Sequence, residues 1–66
     1  MRISLNGEET DSRGAKTVAE LVHRFGLPAE GVLIEYNGVA LYRREWAGRI
    51  LSEGDQLEII RVVAGG

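Results

Sequence analysis

Apolar and polar residues alternate from the start of the chain. Ile3 and Leu5 share one face and Arg2 and Ser4 the other, which predicts a half-buried strand. It ends at Asn6-Gly7, a dipeptide suited to a two-residue hairpin turn, and the short polar stretch Glu8 to Ser12 predicts an edge strand paired back on the first. Arg13-Gly14-Ala15-Lys16 breaks the alternation ahead of a helix. Thr17-Val18-Ala19-Glu20 has the form of a capping box, with the threonine hydroxyl accepting from the N3 amide and the glutamate reaching back. Val18, Leu21, Val22 and Phe25 then recur at i, i+3, i+4 and i+7, one apolar stripe. Gly26 suits a left-handed residue after the helix and Pro28 forbids continuation, so the helix is expected over Thr17 to Phe25. Glu20 and Arg24, four apart, are expected to pair on its exposed side.

The second half repeats the hairpin logic. Val32-Leu33-Ile34-Glu35-Tyr36 and Val39-Ala40-Leu41 flank a second Asn-Gly, Asn37-Gly38. Arg43 to Gly48 is too short for a full helix and predicts a helical turn whose Trp46 plugs the open end of the core. Glu53-Gly54-Asp55 is a turn, and Gln56 to Val63 is the last and most apolar strand. Hairpin, helix, hairpin, short turn and final strand make an α+β domain, a mixed sheet of four to five strands with one helix packed across one face. Placing the first and last strands side by side and parallel at the centre gives a β-grasp, ubiquitin-like arrangement. Its expected core is Ile3, Leu5, Val18, Leu21, Val22, Phe25, Leu57 and Ile59. The domain is expected over 1–63, with Ala64-Gly65-Gly66 as a flexible tail over 64–66.

Composition removes most kinds of chemistry. Sixty-six residues leave room for one small domain, and ten acidic against eight basic groups give a net charge of −2, unfavourable for binding a phosphate backbone. Without cysteine there is no disulfide, thiolate metal site or thiol nucleophile. No apolar run approaches the ~20 residues that span a bilayer, and the first residues lack the apolar core of a signal peptide. A cytoplasmic protein is expected, with neither nucleic acid nor membrane as partner. His23, the one histidine, falls on the polar side of the helix with no second metal ligand nearby, so no metal site is expected. Glu8, Glu9 and Asp11 lack calcium-loop spacing and read as charges that blunt an edge strand. No phosphate-binding Gly-Lys-Ser/Thr loop is present, and Ser4, Ser12 and Ser52 carry no signature of activation.

What remains is the end of the chain. Glycine lacks a Cβ, so Gly65 and Gly66 can enter a slot that excludes other residues. At about 3.3–3.6 Å per residue, Ala64 to Gly66 reaches roughly 10 Å past the fold. A terminal carboxylate is a poor electrophile and a competent nucleophile toward activated phosphorus. A partner enzyme can convert it to an acyl-adenylate, whose carbonyl then accepts sulfur, nitrogen or oxygen.

The segments Tyr36-Asn37-Gly38, Leu41-Tyr42-Arg43-Arg44-Glu45-Trp46, Gly54-Asp55-Gln56-Leu57-Glu58-Ile59-Ile60 and Val62-Val63-Ala64-Gly65-Gly66 together resemble the ThiS family, the ubiquitin-like sulfur carriers of thiamin biosynthesis. The resemblance covers nearly the whole chain. One departure is Tyr42, where family members often carry proline; it bears on loop stiffness and not on the tail. The resemblance implies a non-enzymatic protein co-substrate that binds no cofactor itself. Its partners would be a ThiF-like adenylating enzyme that uses ATP, a sulfur donor protein and a ThiG-like thiazole synthase. Gly66 would be adenylated and then thiocarboxylated, with Gly65 and Ala64 threading the partner's channel. The lack of cysteine fits, since no internal thiol can discharge such a thiocarboxylate, and a single lysine, Lys16, leaves little place for chains of a ubiquitin-style tag.

If Leu57 and Ile59 face the helix, Glu58, Ile60 and Val62 face away, and the apolar pair beside the tail is a candidate docking surface. Arg43, Arg44, Arg49 and Arg61 can add complementarity to an acidic partner. Two other functions stay open from the residues: a sulfur carrier for another acceptor, such as a molybdopterin synthase small subunit or a carrier for amino-acid synthesis, and a β-grasp interaction module with an incidental Gly-Gly end.

Overall fold

In the computed structural model, which describes residues 1–62, β1 (Arg2–Leu5) and β2 (Glu8–Asp11) form the first hairpin, antiparallel with Ile3 opposite Thr10. Asn6 and Gly7 sit at φ 52° and 82°, the left-handed pair that matches the twist of the flanking strands. The helix α1 (Val18–Arg24) follows, then β3 (Val32–Tyr36), β4 (Val39–Leu41), a 3-10 helix over Arg43–Gly48 and β5 (Gln56–Arg61). The sheet has five strands in the order β2-β1-β5-β3-β4. β1 and β5 run parallel, with Leu5 beside Leu57, and every other pairing is antiparallel. This is the β-grasp order expected from the sequence, with β2 and β4 at the edges.

Both ends of α1 are built by local chemistry. The Thr17 hydroxyl accepts from the Glu20 amide at 3.1 Å. The Glu20 carboxylate reaches past Thr17 to the Lys16 amide at 2.9 Å, one residue further back than a standard capping box. At the other end the Gly26 amide donates to the His23 carbonyl and the Leu27 amide to the Val22 carbonyl, the two bonds of a Schellman cap, with Gly26 at φ 62°. The expected Glu20–Arg24 pair does not form. Glu20 is occupied with its cap, and Arg24 Nη1 donates to the Arg13 carbonyl at 3.0 Å. The Arg13 guanidinium in turn lies 4.2 Å from the centre of the Phe25 ring.

Ile3, Val18, Leu21, Val22 and Leu57 are buried as expected, while Leu5, Phe25 and Ile59 are half-buried and pack against them. Ala15, Ile34, Leu41, Trp46 and Leu51 join the core; of these the sequence singled out only the tryptophan, as a plug at its open end. Trp46 closes the core below α1, and its Nε1 is buried with no acceptor among the described residues, a cost of about 1–3 kcal/mol for an orphaned donor. Tyr42, at the N-terminus of the 3-10 helix, has φ −72°, an angle proline also adopts, but its amide donates to Glu45 Oε1 at 2.9 Å, a bond proline cannot make. On the β2 edge, Arg2 pairs with Glu9 at 3.1 Å and Asp11 Oδ1 accepts from the Arg13 amide at 2.6 Å, so two of the three acids there are engaged within the fold.

Candidate functional site

β5 occupies the middle of the sheet and leads directly toward the end of the chain. The side chains of both hairpin asparagines hold it in place. Asn6 Oδ1 accepts from the Ile59 amide at 2.7 Å and Asn37 Oδ1 from the Gln56 amide at 2.8 Å. The Asn6 and Asn37 amides complete the exchange by donating to the Leu57 and Gln56 carbonyls. Each asparagine therefore turns its own hairpin and fixes β5, a second role that its dipeptide does not announce. Pairing with β3 runs to Arg61 opposite Val32, and the Val62 amide donates to the Gly31 carbonyl at 2.8 Å.

Asp55 anchors the start of the same strand. Only 7% exposed, it accepts from the Tyr36 hydroxyl at 2.6 Å, the Ser52 amide at 2.7 Å and Asn37 Nδ2 at 3.2 Å. Burial pushes the carboxyl pKa up, but the bonds from Tyr36, Ser52 and Asn37 together outweigh it and leave the group below its ordinary range. The hydrogen bond to Asp55, then burial and the aspartate's charge, push the Tyr36 phenol pKa up, while Arg49, whose guanidinium lies 5.3 Å from the ring centre, works the other way.

Alternation along β5 puts Leu57 and Ile59 toward α1 and Glu58 and Ile60 on the open face; Val62, just past the strand, continues that spacing. Ile60 is 37% exposed and Val62 59%, so the apolar pair is available to a partner. Register adds a residue missed in the sequence: Leu33 lies opposite Ile60, on the same face, with Glu35 opposite Glu58. In the unbroken apolar run Val32 to Ile34 nothing told the two faces apart; only the pairing does. The open face is thus a small apolar patch of Leu33, Ile60 and Val62 bordered by two carboxylates. Arg43, Arg44 and Arg49 are exposed on and just after the 3-10 helix, and Arg61 is exposed at the end of β5, so the four arginines do not form one cluster around the patch. His23 and Lys16 are exposed, and Ser12 is buried. Ala64, Gly65 and Gly66 lie outside the described residues, as does the boundary expected after residue 63. Among the described residues no group of three acidic or histidine side chains could hold a metal ion, and no helix is long and apolar enough to cross a membrane.

The model of the ThiS family matches residues 3–66, which includes the final Ala-Gly-Gly. The sulfur carrier protein ThiS of Escherichia coli is 30% identical over 66 residues, covering the full length of both chains. A thiazole synthase of Magnetococcus marinus is 32% identical over the whole of this chain, which spans only 20% of that larger protein. The crystal structure of the thiamine biosynthesis protein ThiS from Geobacter metallireducens superposes with a TM-score of 0.87 at 30% identity and complete coverage of both chains. With the family model matching residues 3–66 and the ThiS crystal structure superposing over the whole chain, the chain belongs to the ThiS family.

Proposed function

We propose that this protein is a sulfur carrier of thiamin biosynthesis, a protein co-substrate whose reactive group is the Gly66 carboxylate. The carboxylate attacks the α-phosphorus of ATP held by a ThiF-like enzyme, pyrophosphate leaves, and an acyl-adenylate forms. Sulfide adds to the activated carbonyl and displaces AMP, which leaves a thiocarboxylate on Gly66; a donor protein's persulfide would instead give an acyl disulfide, from which a thiol reductant releases the thiocarboxylate as it forms a disulfide with the donor. The observation that carries the reading is the family match through residue 66, in a fold whose central strand is held by Asn37 at Gln56 and by Asn6 at Ile59 and ends at Arg61. Gly65 and Ala64 pass through the partner's channel, where a Cβ on the glycine would obstruct entry. The patch of Ile60 and Val62, with Leu33 beside it and Glu58 at its border, docks the partner next to the reacting end.

Thiazole synthase is the favoured acceptor, because a segment similar to the whole of this chain forms a fifth of the Magnetococcus protein that bears that name. Incubation with ATP, sulfide and a ThiF-like enzyme, followed by intact-mass spectrometry, should show one oxygen replaced by sulfur at Gly66. Deleting Gly66, or adding a bulky residue after it, should abolish loading and leave the thermal melt nearly unchanged. Normal loading of either variant would retire the proposal.

A further inference from the structure

A groove of about 340 Å³ lies between α1 and the 3-10 helix, on the helix side of the sheet and away from the face that carries Ile60 and Val62. Val22, Leu27, Ala29 and Trp46 supply apolar walls, and His23 and Arg43 border them. Among the described residues no carboxylate lines it. Of the three acids that adjoin lining residues in sequence, Glu20 and Glu45 are committed as caps, to the Lys16 and Tyr42 amides, and Glu30 is exposed beyond the groove's lining. Arg43 takes part in no ion pair among the described residues. Trp46, 4% exposed, forms part of the wall, and its buried indole N–H has no acceptor among the described residues. An apolar trough bordered by an imidazole and by a guanidinium with no ion pair among the described residues is matched by an apolar side chain flanked by anionic acceptors.

We infer that this groove is a second docking site, for a partner-protein segment in which a leucine-like side chain is flanked by carboxylates. The apolar side chain lies against Val22, Leu27 and Trp46, and the carboxylates meet Arg43 and His23. Exposed Arg24 and Arg44 adjoin these residues in sequence and extend the positive character of this side, whereas Glu35 and Glu58 border the open sheet face. The two surfaces therefore select partners of opposite charge and can be occupied together. The site does not depend on the chemistry at Gly66.

The chain's single tryptophan gives one indole N–H resonance. Titrating the ¹⁵N-labelled full chain with acetyl-Asp-Leu-Glu-amide should move that resonance saturably, with a Kd of about 1 mM or tighter. The uncharged acetyl-Asn-Leu-Gln-amide should bind about tenfold more weakly or worse. Arg43→Glu should remove the response, and Arg43→Gln should weaken it if the reversal perturbs folding. Val62→Asp, on the opposite face, should respond as the parent does. The inference is overturned by an indole resonance that does not move, by equal binding of the two peptides, or by an unaltered response in both Arg43 variants. A resonance that moves with protein concentration alone would assign the groove to a second copy of the chain and overturn it as well.

Discussion

The Tyr36 hydroxyl, at the end of β3, donates a 2.6 Å hydrogen bond to Asp55 Oδ2, the residue just before β5, so the two strands are tied by side chains where their ladder starts. Asp55 also receives the Ser52 amide and Asn37 Nδ2, which makes one buried carboxylate the acceptor for a turn, a hairpin and a strand. Asp55→Ala should cost about 2–3 kcal/mol, because it strips the Ser52 amide and Asn37 Nδ2 of their acceptor and leaves the Tyr36 hydroxyl only the Ile50 carbonyl at 3.2 Å. In a domain of this size that lowers the melting temperature by roughly 10–20 °C. Tyr36→Phe, which loses only the hydroxyl, should cost about 1 kcal/mol. Thermal melts matching the parent would show that the cluster has no structural role.

The same cluster sets a pH dependence. The folded-state pKa of Asp55 lies below its unfolded value, so its contribution is fully present above that unfolded value, about 3.9, and is lost as pH falls through the folded one. The phenol of Tyr36 is shifted upward, so its contribution holds below about pH 10 and is lost as pH rises through the raised value. The melting-temperature gap between the parent and Asp55→Asn should therefore narrow below about pH 4 and stay constant through neutrality. A gap that widens on acidification would contradict the shift.

Asn6 holds φ 52° and gives its side-chain oxygen to the Ile59 amide at 2.7 Å. Asn6→Ala loses both the tolerance of that angle and the acceptor and should cost about 2–3 kcal/mol. Asn6→Gly restores the angle and not the acceptor, so it should recover about half of the loss. Denaturant unfolding of the two variants separates the terms, and equal losses would mean that the backbone angle contributes nothing.

Val62 is 59% exposed and outside the core, so Val62→Asp should change stability by less than about 0.5 kcal/mol. If the open face meets the adenylating partner, the same change should slow thiocarboxylate loading by about tenfold or more. A loading rate equal to the parent's would move the docking surface elsewhere. Ile60→Asp should slow loading too, with some loss of stability, because that side chain is only 37% exposed.

Trp46 fills the space below α1, and its indole N–H has no partner among the described residues. Removing most of the side chain in Trp46→Ala should cost about 3–5 kcal/mol. Trp46→Phe keeps much of the packing and deletes the orphaned donor, so the two effects offset and the loss should stay near 1 kcal/mol. A phenylalanine variant as unstable as the alanine one would show that the donor is satisfied in solution.

The sequence by itself determined the local elements of this protein. Asn-Gly at 6–7 and 37–38 requires left-handed backbone angles few other dipeptides accept, the stripe Val18-Leu21-Val22-Phe25 allows only a helix with one buried side, and Gly26-Pro28 ends it; each is a constraint among neighbours in the chain. The alternation of Gln56 to Val62 likewise announced that Ile60 and Val62 face away from the helix. Tertiary structure alone decided that Leu33 joins them, that Ile34 and Leu51 enter the core, that Asn6 and Asn37 hold β5, and that Arg24 serves the Arg13 carbonyl instead of Glu20. These are choices among partners far apart in sequence, and a hydrogen-bonding side chain or a continuous apolar run carries no mark of which distant strand will lie beside it.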